Sequence, residues 1–173
     1  TSLVSRDTLG NAGDGASFEP TISASGQFVA FTSLATNLAS IPGASGSQIY
    51  LRDVTGNATS LVSRDTLGNA GNGASTHPTI SAASGQFVGF SSLATNLAAA
   101  PGGSGSQILL RDTQGNQTSL ISQDNGAPAS AGNGASTTPS IVADGTFVAF
   151  SSQASNLVVG GVAPSDIYVR AVP

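Results

Sequence analysis

The stretch TSLVSRDTLGNAG, residues 1 to 13, returns letter for letter at residues 59 to 71. Continued through Asp14-Gly15-Ala16-Ser17 and Asn72-Gly73-Ala74-Ser75, the two copies run for seventeen residues and differ at one position. A looser third copy, TSLISQDNGAPASAGNGAS, spans Thr118 to Ser136. The segment TSLATNLASIPGASGSQIYLRD (32 to 53) differs at five positions from SSLATNLAAAPGGSGSQILLRD (91 to 112), and SSQASNLVVGGVAPSDIYVR (151 to 170) keeps its skeleton. Phe31, Phe90 and Phe150 mark equivalent points. A period of nearly sixty residues divides the chain into three like units, approximately 1–58, 59–117 and 118–173, within one domain.

Charged residues make up 8% of the 173 and hydrophobic residues 39%. Apolar runs such as Gln27-Phe28-Val29-Ala30-Phe31 argue against disorder despite the low charge. Ser, Thr, Asn and 22 Gly take the place of charge, the vocabulary of short strands and tight turns, so the fold class is all-β. The five basic residues are all Arg, against nine acidic ones, which leaves no basic footprint for a phosphate backbone and excludes nucleic acid as a partner. The absence of Cys removes disulfides, thiol catalysis and Cys-ligated zinc. No run of about 18 apolar residues is present to span a bilayer. Thr1 in place of Met fits a processed mature protein and a fragment equally.

Each unit holds four strand candidates separated by turn chemistry. In the first they fall near Pro20 to Ser23, at Gln27 to Ser33, at Ser47 to Asp53 and at Thr59 to Arg64; these are strands a, b, c and d. The links between a and b, Ser25-Gly26, Ser84-Gly85 and Asp144-Gly145, predict hairpins, because Gly accepts the positive φ of tight turns. Pro20, Pro78 and Pro139 are read as opening strand a, where a missing N–H is tolerated. Strand b is apolar on both faces, with Phe28 and Ala30 on one and Val29 and Phe31 on the other. Strand c has little polar face either, while d is more polar and belongs at a rim.

Four-stranded units buried on both faces describe the blades of a β-propeller. The residues Gly26, Phe28, Val29, Phe31, Asn37, Leu38, Tyr50, Arg52 and Asp53 resemble the WD40-like, TolB-type (PD40-like) β-propeller repeats of bacterial envelope and secreted proteins, and the resemblance covers all three units. The resemblance implies a propeller in a secreted or periplasmic setting and leaves the chemistry open.

Closed propellers have roughly four to eight blades, and this chain supplies three. The third unit reads a, b, c and ends Arg170-Ala171-Val172-Pro173, whereas residues 1 to 6 read as a strand d with nothing before it. The expectation is a homodimer, a six-bladed ring closed when residues 1 to 6 of each chain pair with strand c of the partner's third blade. A β-trefoil also contains three four-stranded repeats, and the chain could instead be half of a longer one.

Reactive groups are few. The single histidine, His77, occupies a position held by Glu19 and Thr138 in the other units, which favours a freely drifting surface site over catalysis. No G-x-S-x-G elbow occurs. Arg52-Asp53 and Arg111-Asp112 are read as strand-edge Arg beside a turn-capping Asp. Asn37, Asn96 and Asn156, recurring in A-x-N-L or a close variant, are candidates for fixing turns or for contacting a ligand. Asp7, Asn11 and Asp14 lie in a Gly-rich loop and are candidate calcium ligands, although their spacing is not that of an EF-hand and Asp14 becomes Asn72 and Asn133. Asn57-Ala58-Thr59 and Asn116-Gln117-Thr118 are formal sequons in turns. These features favour a non-enzymatic binding or scaffolding protein whose repeated polar loops or central channel hold a glycan, peptide or protein. The alternative is a propeller hydrolase or lyase with acidic residues in its channel.

Overall fold

The computed structural model describes residues 1–39, 44–81, 85–99, 103–160 and 164–172. The predicted Ser84 of the second hairpin link and Pro173 lie outside the described residues. Eleven strands form three antiparallel sheets, with no helix among the described residues.

The first sheet is a meander of β1 (Ser17–Ile22), β2 (Phe28–Ser33), β3 (Gln48–Asp53) and β4 (Ala58–Leu61). The second repeats it with β5 (Ser75–Ile80), β6 (Phe87–Ser92), β7 (Gln107–Asp112) and β8 (Gln117–Leu120). The third has β9 (Ser136–Ile141), β10 (Phe147–Ser152) and β11 (Asp166–Ala171). Among the described residues no ladder joins one sheet to another, which differs from the shared barrel of a β-trefoil. The strand register repeats too, with Phe31 opposite Tyr50, Phe90 opposite Leu109 and Phe150 opposite Tyr168.

The hydrophobic core lies between sheets, as two-faced apolar strands require. Ala30, Ile49 and Leu51 of the first sheet meet Val88 and Phe90 of the second and Leu97 of the loop after β6. Ile108 and Leu110 of the second sheet meet Val148 and Phe150 of the third and Leu157 of the loop after β10. A smaller cluster of Phe31, Leu38, Tyr50 and Leu61 fills the other face of the first sheet, where the Phe31 and Tyr50 rings stack 6.0 Å apart. Close backbone approach seals the loops between sheets: a Cβ on Gly73 would come within 2.8 Å of the Leu93 carbonyl carbon, so only Gly fits there.

One expectation is corrected by this fold. Pro20, Pro78 and Pro139 do not open strand a; they sit inside β1, β5 and β9 at a register shift, where a β-bulge tolerates the missing N–H. The residue before each Pro, Glu19, His77 or Thr138, has a positive φ of 50–54°. Residues 1 to 5 form no strand within the chain, although their letters match those that begin in β4; Val4 packs on the Phe31 cluster and Arg6 bridges Ala12. A strand needs a neighbour, and among the described residues no strand lies beside residues 1 to 5 as β3 lies beside β4.

Candidate functional site

The loops leading into each sheet carry the candidate polar residues, and the structure shows what holds them. Asp7 Oδ1 accepts the Asn11 peptide N–H at 2.8 Å, and Asp7 Oδ2 accepts Asn11 Nδ2–H at 2.8 Å. Asp65 and Asn69 repeat this pair. Asp14 belongs to a different contact: its oxygens accept the Thr36 peptide N–H and hydroxyl, each at 2.6 Å. Asp7 and Asn11 are thus brought together, and Asp14 is bonded elsewhere. Among the described residues no group of three or more His, Asp or Glu side chains converges as a metal site.

Asn37, Asn96 and Asn156 each use both ends of the amide. Their Oδ1 atoms accept the peptide N–H of Asp14, Asn72 and Asn133 at 3.0, 3.0 and 2.8 Å. Their Nδ2 groups donate to the carbonyls of Ala12, Ala70 and Ala131 at 2.9, 2.8 and 2.9 Å. Each Asn therefore staples the loop after strand b to the loop before strand a, a join between residues 23 or 24 apart.

These bonds set the acid stability. The Asn11 side-chain bond holds the Asp7 carboxyl below its ordinary value, and the Thr36 hydroxyl does the same for Asp14. Peptide N–H groups of Ser130 and Gly126 lower Asp124. For Asp65 burial pushes upward, but the bonds from Asn69, Leu67 and Gly68 prevail. A depressed folded-state pKa contributes stability that is present above the unfolded carboxyl pKa of about 3.9 and is lost as pH falls through the folded value. The melting temperature should accordingly be flat from pH 7 to 5 and fall below about pH 4. The Asp14→Asn variant should match wild type at pH 7, because Asn72 holds Thr95 in the equivalent place, accepting its peptide N–H and donating Nδ2–H to its hydroxyl, and should show a shallower acid loss. A melting temperature independent of pH down to 2 would contradict this account.

The least expected residues are the arginines. Read as strand-edge groups, Arg52 and Arg111 are in fact among the largest fully buried side chains, each 1% exposed. Arg52 donates to Thr59 Oγ1 at 2.9 Å, to the Asp7 carbonyl at 3.2 Å and to Asn57 Oδ1. Arg111 repeats the set with Thr118 Oγ1 at 3.0 Å, the Asp65 carbonyl at 3.3 Å and Asn116 Oδ1. Burial, and then the neighbouring Arg64, pull the Arg111 guanidinium down to about 10, so it stays charged at neutral pH. The sequon residues Asn57 and Asn116 are hydrogen-bond partners of these guanidinium groups. Asp53 and Asp112 accept the Gly56 and Gly115 peptide N–H groups at 2.8 Å, the turn-capping geometry read from the sequence.

On the edge strands β1 and β5, the bulge residues Glu19 and His77 of neighbouring sheets face each other, with Glu19 Oε1 3.4 Å from His77 Nε2. His77 is thus held in a defined contact. Its sequence signal was the Pro that follows all three bulge residues. An open apolar cavity of ≈ 250 Å³ lies on the outer face of the first sheet, lined by Leu3, Val4, Phe18, Val29 and Phe31. No helix among the described residues is long and apolar enough to cross a membrane. Neither a protein-family model nor a curated protein sequence matches the chain.

Proposed function

We propose that the three sheets are blades of a β-propeller, that two copies of the chain close a six-bladed ring, and that the ring is a non-enzymatic binding scaffold acting outside the cytoplasm. One observation carries this reading: the large apolar side chains exposed on the third sheet are those that the internal joints bury. Ile49 and Ile108 are 0% exposed, whereas their equivalent Ile167 is 78% exposed; Leu61 and Leu120 are 4% and 7% exposed, whereas Leu3 is 51%. Residues 1 to 6 are identical to 59 to 64, the segment that occupies the edge of β3. Seated on β11 of a second copy, they add about four ladder hydrogen bonds of roughly 0.5–1.5 kcal/mol net each.

The internal joints supply the register. Thr59 Oγ1 accepts from Arg52 and donates to the Arg6 carbonyl at 2.6 Å, so Thr1 takes the corresponding place beside the partner's Arg170. The Ser75 peptide N–H donates to the Ser47 carbonyl at 2.8 Å and that of Ser136 to Ser106 at 2.7 Å, which matches Ser17 to the partner's Ser165. Ile167 and Val169 of the partner then enter the cavity beside Phe18, Val29 and Phe31. The loops rich in Ser, Thr and Asn are left facing solvent, several times over around the ring, where weak contacts to a hydroxyl-rich glycan, a peptide or a protein sum by avidity.

Sedimentation should give a mass near twice 16.9 kDa for the chain. Deleting residues 1 to 6 should return it to a single copy with its strand content intact. A deletion variant that stays dimeric, or a wild type that is monomeric at high concentration, would sink the ring. Glycan and peptide arrays run beside a hydrolase panel should show binding without turnover, and turnover would overturn the scaffold reading.

A further inference from the structure

The first repeat shows how these sheets hold a carboxylate. The Thr32 hydroxyl, buried on β2, donates to Glu19 Oε2 at 2.7 Å, and the His77 peptide N–H on β5 donates to the same oxygen at 2.8 Å. A hydroxyl from one sheet and a peptide N–H from the next together cup one oxygen.

The second repeat sets the matching hydroxyl beside a cavity. Ser91 stands opposite Thr76 as Thr32 stands opposite Phe18, so it is the counterpart of Thr32. Ser91 is 2% exposed, and its Oγ has no hydrogen-bond partner among the described residues. Thr138 occupies the bulge of β9 as His77 occupies that of β5, with φ of 50° against 54°. The counterpart of Glu19 is His77, whose ring turns toward Glu19 and the Thr76 hydroxyl. Thr76, His77, Ser91, Ser106 and Thr137 line a cavity of ≈ 190 Å³. A buried hydroxyl that makes no hydrogen bond is costly, so an acceptor placed in this cavity gains the bond that the chain does not provide. In the third repeat the matching hydroxyl, Ser151, already has a partner in Ser165 Oγ at 2.9 Å.

We infer that the cavity beside Ser91 and His77 binds a carboxylate group. Ser91 Oγ–H and the Thr138 peptide N–H donate to one carboxylate oxygen, and the His77 ring lies alongside. The ligand carboxylate thereby takes the place that the Glu19 carboxylate fills from within the chain in the first repeat. Every group belongs to β5, β6 or β9 of one chain, so the site stands whether or not the ring forms.

Acetate is the probe, titrated at constant ionic strength while the Thr138 amide resonance is followed by NMR. The shift should saturate with acetate, and acetamide, of the same shape but uncharged, should bind at least about tenfold more weakly because charge-assisted bonds are stronger. The Ser91→Ala variant should weaken acetate about tenfold. The His77→Glu variant should supply the carboxylate internally, abolish the acetate response and raise the melting temperature. An equal response to acetate and acetamide, or an acetate titration unchanged in His77→Glu, would overturn the site. If Ser91→Ala does not fold, His77→Glu alone decides.

Discussion

Replacing Arg111 with Ala is expected to lower the unfolding free energy by about 3–5 kcal/mol, close to the cost of breaking a buried charged network. The guanidinium ties three segments: the loop before the second sheet through the carbonyls of Arg64 and Asp65, strand β8 through Thr118, and the turn before it through Asn116. Ala takes the guanidinium donor away from the buried Thr118 hydroxyl, cuts the ties to Arg64, Asp65 and Asn116, and opens a cavity of nearly a whole side chain. Lys should not rescue the loss, because one ammonium on a flexible stem does not reproduce a planar fork that donates in two directions. Arg170→Ala provides the internal control. Arg170 is only half-buried and reaches the preceding loop alone, through Gln123, Asp124 and Asn125, so in a monomeric chain its removal should cost well under half as much. Urea unfolding of the three variants measures this order. A loss for Arg111→Ala below about 1 kcal/mol would mean that water replaces the network easily and that Arg111 is not a structural tie.

The strands were legible because their signals are local. Two-sided apolar runs around Phe31, Phe90 and Phe150, together with Gly26, Gly85 and Gly145 at positive φ, place the strand b positions and the turns before them to within a residue. Strand a was misplaced at its start because a Pro three residues inside a strand ordinarily marks an end, and only the bulge makes it acceptable. The burial of Arg52 and Arg111 was hidden by residue type, since charge predicts exposure and the compensating acceptors are carbonyls that no side-chain pattern reveals. The role of Asn37 could not be separated from ligand binding because its partners, Asp14 N–H and the Ala12 carbonyl, are also backbone groups more than twenty residues away. The candidate carboxylate site was the least legible of all. It rests on a difference between repeats at Glu19 and His77, read in the sequence as drift, whose meaning depends on Ser91 lying across the strand pair.

Leu110→Lys and Val169→Lys should have opposite consequences, although both change the same position of strand c. Leu110 is 2% exposed in the joint between the second and third sheets, and a Lys there must bury a charge or force the sheets apart. The chain should lose its cooperative melt. Val169 is 69% exposed in the single chain, so the same substitution there meets solvent and should leave the melting temperature of dilute, monomeric protein unchanged. Under the proposed ring it meets instead the apolar cavity of Phe18, Val29 and Phe31, and the dimer should dissociate at concentrations where wild type is fully paired. Circular dichroism and sedimentation on the same samples separate the two effects. The comparison is informative because the repeat holds the strand and its register nearly constant while the neighbour changes. If Val169→Lys remains dimeric, the exposed face of β11 is not the joint and the ring closure fails. If it is monomeric and stable, the apolar residues exposed on β11 are interface residues, and the stability of the two faces of one repeated strand differs only by what each chain must find outside itself.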